Sequence, residues 1–412
     1  MKKILCVNVS DQGSTGKIIE DIARNSEEYK FVLCVPHVSN RSQVLKEYSL
    51  MSIPHEQGIY RRIAKIKGYP FGFAPFSTMR LERIIRYEKP DLVHIHCVNM
   101  NMVNIYKLFH FLAISNIPFV VTNHAEFYYT GSCAHAKECI QWENGCQKCT
   151  DLNYATGTLW DRTNRAWYKM KKAFEEFEKI TVVSVSPWVA ERCKKSGIMK
   201  NVTQDMILNG INTEIFYPKN ISNLRKTLKI SNKKVILHVT AGFTNEASDL
   251  KGGIFFLKLA KRFQNYDNML FVVAGSVARD LEKYNFPKNL LLLGNVSDQE
   301  RLADWYSIAS LTIITSKRET FSMPVAESLC CGTPVIGFEA GGPESIALEE
   351  FSEFVSYGDE NALKKAFEKW NCVKNAEIEK KCAICAKEKY DSKIMSHKYE
   401  EVYQNMINNK LK

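Results

Sequence analysis

No run of this 412-residue chain approaches the ~18–20 consecutive apolar residues that a membrane-spanning helix needs, so no such span is expected. The opening MKKILCVNVSDQG starts like a secretory signal, but its apolar run breaks at Asn8 and Ser10. It reads as a first strand rather than a signal core, and the expected location is the cytoplasm. A dinucleotide fingerprint is missing as well. Gly13 and Gly16 stand in a G-x-x-G loop with the wrong spacing, and no acidic residue follows at the right distance. Zinc-finger and base-stacking patterns are absent, which argues against a nucleic-acid partner. The length exceeds what one ordinary core fills, so two domains are expected. With 45% hydrophobic and 25% charged residues, the composition is that of a soluble globular protein.

The net charge of +11 is uneven. Residues 1–200 hold 28 Lys and Arg against 19 Asp and Glu, whereas the remainder holds 28 against 26. Residues 59–89 carry eight basic and two acidic side chains among Ile and the aromatics Tyr60, Tyr69, Phe71, Phe73 and Phe76. A basic, partly apolar surface suits an anionic bilayer or a phosphorylated lipid, with a merely solvated face as the alternative.

The most informative stretch runs from Ser316 to Glu344, SKRETFSMPVAESLCCGTPVIGFEAGGPE. It follows LTIIT, a short β-branched run that predicts a buried strand. Pro324 suits the first turn of a helix over Val325–Cys331, which Gly332 ends before a second strand, PVIGF. Two parallel strands and one helix N-terminus thus face one crevice, where open α/β sheets bind ligands. Glu319 lies in the loop before the helix and Glu327 about one turn inside it, so both can face one ligand. First-turn N–H groups around Phe321, Ser322 and Met323 lack helical partners and can hold a phosphate. A carboxylate beside a sugar hydroxyl accepts a charge-assisted hydrogen bond. The pattern predicts a nucleotide-sugar site.

These residues resemble the E-x7-E signature of retaining GT-B glycosyltransferases of family 4. Glu319, Phe321, Ser322, Glu327, Gly332, Pro334, Val335, Gly341 and Gly342 carry the likeness. It implies two Rossmann-like, doubly wound α/β domains facing across a cleft, with a last helix crossing back to the first. It also implies that Glu319 holds the donor hexose, Glu327 the ribose, and Lys251 the diphosphate, with no catalytic metal. The family usually places an Arg about half a dozen residues before that Lys, where this chain has Asn245 and Glu246. His124, just past a strand end, resembles the histidine of the family's T-x-His-Asp segment, with Ala125 in place of the Asp. The Gly13 and Gly16 loop, Gly242 after the strand VILHV, and Gly275 after LFVVA are further donor-binding candidates on the same likeness.

The expected domains are residues 1–204, residues 205–388, and a returning helix at 389–412. A long amphipathic helix is predicted over 153–179, and another over 101–115. His94 and His96 alternate on one strand, so both point to one face, either as a metal pair or as core or cleft histidines. Between the His124 strand and the long helix, an insert over 131–150 contains Cys133, Cys139, Cys146 and Cys149, spaced C-x5-C-x6-C-x2-C. Four cysteines in seventeen residues suit a closed structural zinc site, with free thiols or a redox pair as the alternatives. The insert resembles a Cys-rich segment of family 4 enzymes that make bacterial exopolysaccharides.

The combined expectation is a hexosyltransferase that moves sugar from a nucleotide-sugar donor, with retention, to a saccharide acceptor, lipid-linked and at the inner face of the plasma membrane. A nucleotide-sugar 2-epimerase of the same fold, and a non-catalytic nucleotide-sugar-binding subunit, are the alternatives.

Overall fold

The computed structural model describes residues 1–99, 101–152, 157–278 and 285–410, with side chains to residue 408. The chain divides into two compact units, Met1–Gly210 with Lys393–Lys412, and Ile211–Ser392. Each is an α/β unit built on a parallel sheet, as expected for a GT-B fold.

The first unit holds β1 (Lys2–Val7), β2 (Tyr29–Val35), β3 (Glu47–Leu50), β4 (Leu92–Ile95), β5 (Phe119–Asn123), β6 (Ile180–Ser184) and β7 (Thr203–Met206). They are ordered β3-β2-β1-β4-β5-β6-β7, all parallel, so the strand order reverses between β1 and β4. β4, β5 and all of β1 from Ile4 onward are buried, which is why they read as mostly apolar runs rather than alternating ones. The helix Ser392–Lys410 presents Met395, Tyr399, Val402, Tyr403 and Met406 to the core formed by Ile4, Cys6, Leu33 and Leu92. That three-and-four spacing is the stripe of a helix covering a sheet.

The second unit holds β8 (Lys234–Phe243), β9 (Met269–Val277), β10 (Leu290–Gly294), β11 (Leu311–Ile314), β12 (Val335–Phe338) and β13 (Ser352–Val355). Their order, β10-β9-β8-β11-β12-β13, reverses between β8 and β11. The core gathers Phe256, Phe263, Phe271, Ile313, Phe338, Phe367 and Trp370.

Several boundaries differ from the sequence reading. Thr203–Met206 pairs with β6 as an edge strand, so the second unit starts at Ile211 rather than at 205. The last helix starts at Ser392, because Asp391 leaves helical geometry (φ −54°, ψ 130°) after a separate helix, Ala376–Tyr390. The helix expected over 153–179 spans Thr163–Glu175, and residues 153–156 lie outside the described residues. Asp161 accepts hydrogen bonds from the Thr163 N–H and hydroxyl, which turns the chain just before that helix. The helix expected over 101–115 spans Ile105–Ile114, because the Asn104 side chain accepts from the Lys107 N–H and caps it.

Candidate functional site

The loops after β8 and β11 flank the point where the strand order of the second unit reverses, the position at which doubly wound sheets bind ligands. Lys251 ends the first loop and Glu319 lies in the second. Lys251 Nζ donates to Glu319 Oε1 at 2.6 Å, and the Ser316 hydroxyl donates to the same oxygen at 2.9 Å. Backbone bonds hold the two loops together. The Lys317 N–H donates to Leu250 O at 2.7 Å, and the Thr315 hydroxyl donates to Lys251 O at 3.1 Å. Gly252 is required there: its φ is +64°, and a Cβ would fall 2.0 Å from Thr315 O.

Glu319 is also fixed through its backbone, donating to Ala340 O at 3.0 Å and accepting from the Gly342 N–H at 2.8 Å. The glycine loop read from the sequence is therefore a clamp on the Glu319 segment. The Glu344 carboxylate accepts from the Ala340 and Gly341 N–H groups at 2.9 and 2.6 Å. Those two amides are thereby committed to a side chain.

The helix after Glu319 spans Met323–Cys330. Ser322 precedes it at φ 78°, and no side chain caps its first turn, where Pro324 has no N–H and the Val325 N–H donates to Ser322 O at 3.1 Å. Ser322 Oγ is buried and makes no hydrogen bond among the described residues. Glu327, only 7% exposed, accepts from the Tyr306 hydroxyl at 2.9 Å. Tyr306 was missed by sequence reasoning, since it lies inside the helix Gln299–Ile308 with nothing in its spacing to mark it. Lys317 and Arg318, the cations next to Glu319, were also passed over. The K-R-E run was their signal, in a chain with Asn245 and Glu246 where an Arg was expected.

The other glycine candidates separate. A Cβ on Gly275 would meet Thr240 O at 2.1 Å, so that glycine lets β9 pass close to β8. Gly242 has open space around it. Gly13 and Gly16 belong to the first unit, at the start of the helix Gly13–Arg24. Gly13 has φ +78° and an open surround, whereas a Cβ on Gly16 would sit 2.5 Å from Asp11 O.

His124 also lies in the first unit, at the carboxyl end of β5, and, partly buried itself, meets the buried imidazoles of His96 and His94. Its Nε2 is 3.1 Å from His96 Nδ1, and the His96 ring lies 3.8 Å from that of His94. His94 contacts the Tyr403 hydroxyl at 2.7 Å and the Thr122 hydroxyl at 2.8 Å. Burial lowers the pKa of His124 to about 4 and holds His94 and His96 well below the usual imidazole range. Neutral rings fit the His124–His96 contact, in which one nitrogen donates and the other accepts, while His96 Nε2 has no hydrogen-bond partner among the described residues. His96 is thus a hydrogen-bond partner of His124, in a chain with Ala125 next to that histidine. Cys6, His94 and His96 bring three metal-ligating atoms within 4.8 Å of one another, yet both His94 nitrogens face hydroxyls.

In the cysteine insert, Cys133 and Cys146 are buried, Cys149 is partly exposed and Cys139 exposed. Burial, together with Cys139, Cys149 and Asp161, pushes the Cys146 thiol up to about 12. The only regular element within the insert, among the described residues, is the turn Gln141–Glu143. Outside anchors hold it. Trp142 O accepts from Trp167 Nε1 at 2.7 Å, and Arg192 covers the Trp142 ring at 4.6 Å from its centroid.

Residues 29–215 match the model of Glycosyltransferase Family 4, and residues 220–389 match that of Glycosyl transferases group 1. The D-inositol 3-phosphate glycosyltransferase of Thermobispora bispora is 28% identical over 32% of this chain and 34% of its own length. The N-acetyl-alpha-D-glucosaminyl L-malate synthase of Bacillus anthracis is 22% identical over 49% of this chain and 53% of its own. The chain thus spans about a third to a half of the length of these curated relatives. Among solved structures, sucrose-phosphate synthase from Thermosynechococcus elongatus superposes with a TM-score of 0.70 at 15% identity, covering 99% of this chain and 100% of that one. Anabaena Alr3699/HepE in complex with UDP and glucose gives 0.68 at 15% identity, covering 98% and 100%. The fold is therefore GT-B, and the two halves of the chain carry the domains of glycosyltransferase family 4 and of glycosyl transferases group 1.

Proposed function

We propose that this chain is a retaining glycosyltransferase that moves a hexose-type sugar from a nucleotide-sugar donor to a lipid-linked saccharide in bacterial surface-polysaccharide synthesis. The observation that carries the reading is the Lys251–Glu319 contact of 2.6 Å at the reversal point of the second sheet. It sets a point cation beside a strong hydroxyl acceptor. In this account the ammonium and the first turn of helix Met323–Cys330 take the diphosphate, and Glu319 accepts from the sugar. Charge developing on the departing diphosphate then meets groups already in place, which is the main catalytic term. Glu327, oriented by Tyr306, holds the ribose, and His124, oriented by His96, addresses the acceptor. The family matches and the UDP-bound Anabaena structure support a nucleotide-sugar donor. Retention rests on the E-x7-E resemblance.

Peripheral attachment to an anionic membrane completes the proposal. Arg61, Arg62 and Lys65 are exposed on the helix Glu56–Lys67 and line a cavity of about 340 Å³. Ile59, Ile66, Phe76, Leu159 and Trp160 are exposed apolar groups in the same unit. Tyr69 and Phe71, which the sequence offered to the interface, are buried instead. No helix among the described residues is long and apolar enough to cross a membrane. Binding to anionic vesicles should weaken with salt and with Arg61, Arg62 and Lys65 neutralised. Equal sedimentation with neutral vesicles, or none with either, removes the membrane from the proposal.

The four insert thiols are proposed to hold a structural zinc as thiolates, since so short a segment with so little regular structure needs a staple.

For the donor, a thermal-shift screen of nucleotide-sugars is the test. A ligand at ~100 times its dissociation constant adds about 2.7 kcal/mol to the stability of the unit that binds it. The shift should vanish in Lys251→Ala, and no shift with any nucleotide-sugar would refute the donor assignment.

A further inference from the structure

A cavity of about 380 Å³ opens in the first unit, lined by Tyr69, Gly72, Tyr106, Lys107, His110, Lys169, Lys172 and Glu176 among others. It shares no residue with the donor site or with the basic cavity at Arg61. Its charge is one-sided. Lys107, Lys169 and Lys172 form no salt bridge among the described residues, and the one acid, Glu176, is taken up by His110 at 3.2 Å. Lys169 Nζ lies 4.9 Å from the centre of the Tyr69 ring and 5.7 Å from that of Tyr106, and Arg165 lies 5.5 Å from Tyr69. Burial and the neighbouring Arg165 lower the pKa of Lys169. A cation so placed is stabilised by any anion that enters.

The wall is built rather than incidental. Tyr69 and Tyr106 stack with centroids 5.5 Å apart, and their hydroxyls interact with each other. Tyr69 is 9% exposed, and beyond the neighbouring Tyr106 hydroxyl its own hydroxyl meets no other acceptor among the described residues. Gly72 is the only residue that fits opposite the ring, because a Cβ there would come 2.1 Å from Tyr69 Cε1. The loop is held with Phe71 and Ala74 in left-handed conformations, φ 65° and 61°, the kind of strain that gathers at ligand sites. Asn104 fastens it by donating to Gly72 O at 2.8 Å.

We propose that this cavity is a second binding site, for a phosphate-bearing ligand whose phosphate meets Lys107, Lys169 and Lys172 and accepts from the tyrosine hydroxyls. Its volume accommodates a phosphate together with a small ring, and the stacked tyrosines offer a flat apolar wall to the remainder. The ligand is either a soluble phosphate ester or a phosphorylated lipid headgroup, and the recognition chemistry is the same for both.

Calorimetric titration with inorganic pyrophosphate in a Lys251→Ala background isolates this site from the donor site. Binding should persist there. It should weaken at least tenfold when Lys169→Gln and Lys172→Gln are added, about threefold with Tyr69→Phe, and not at all with the second-unit control Arg301→Gln. Melting curves confirm that each variant is folded. No pyrophosphate binding in the Lys251→Ala protein, or binding indifferent to Lys169 and Lys172, overturns the proposal. If Lys251→Ala leaves all binding intact while the lysine pair abolishes it, this site stands and the donor assignment falls. Sedimentation with vesicles of phosphatidic acid in phosphatidylcholine, with Arg61, Arg62 and Lys65 changed to Gln so that only this site is read, separates the sources. Loss of sedimentation in the lysine-pair variant assigns a headgroup, and unchanged sedimentation with lost pyrophosphate binding assigns a soluble ester.

Discussion

Lys251 Nζ and Glu319 Oε1 are 2.6 Å apart, although 68 residues separate them and they lie on loops after different strands. The Ser316 hydroxyl shares the same oxygen, and the side chains are 33% and 19% exposed. Removing the carboxylate leaves the backbone bonds of residue 319 intact. Glu319→Ala should therefore fold normally and lose turnover by about 1.5–3 kcal/mol, the worth of a hydrogen bond to a charged group. Wild-type turnover on the true donor would take Glu319 out of the site.

Tyr306 links the helix Gln299–Ile308 to Glu327 with a 2.9 Å hydrogen bond. Tyr306→Phe removes one donor from a buried carboxylate and should cost about 1–3 kcal/mol in stability. Donor affinity should fall as well, because the orientation of Glu327 is loosened. A melting curve and a nucleotide titration read the two effects separately, and an unchanged affinity would assign Tyr306 to folding alone.

Purified protein should carry about one zinc per chain, bound by Cys133, Cys139, Cys146 and Cys149. Cys146→Ser should lose the metal and disorder the insert while both sheets survive. Metal analysis that finds none, in protein prepared without chelator, ends the idea.

Acid should destabilise the chain through buried imidazoles. The His238 ring lies 2.9 Å from Ile313 O, and burial lowers its pKa from 6.5 to about 4. The unfolded chain therefore takes up its proton first as pH falls. Stability is complete above pH 6.5 and is lost towards pH 4, by about 3 kcal/mol for this one group. His94, His96 and His124 add losses of the same sign. Melting temperature against pH should drop across that window and flatten in His238→Gln. A profile level from pH 7 to 4 would show that the rings are protonated in the fold.

The sheets and the segments of the candidate site were legible in the sequence because both rest on local signals. LTIIT, PVIGF and the Glu319-to-Gly342 spacing each report on one segment, and β11, β12 and the helix Met323–Cys330 lie where they indicate. What stayed hidden depends on distant partners. Tyr306 has meaning only beside Glu327, and His96 only beside His124. The edge strand Thr203–Met206 is too short and polar to announce itself, and it moved the boundary between the units. Tyr69 and Phe71 looked like interface aromatics because composition does not show which way a side chain faces.

The most direct test of the account follows the sugar. The purified chain, a nucleotide-sugar selected by binding, and lipid-linked saccharides are incubated together, and the anomeric configuration of the product is read by NMR. The account predicts release of the nucleoside diphosphate, a new glycosidic bond with the donor's configuration retained, and loss of both in Glu319→Ala. Donor isomerised without transfer, or a product of inverted configuration, would contradict it.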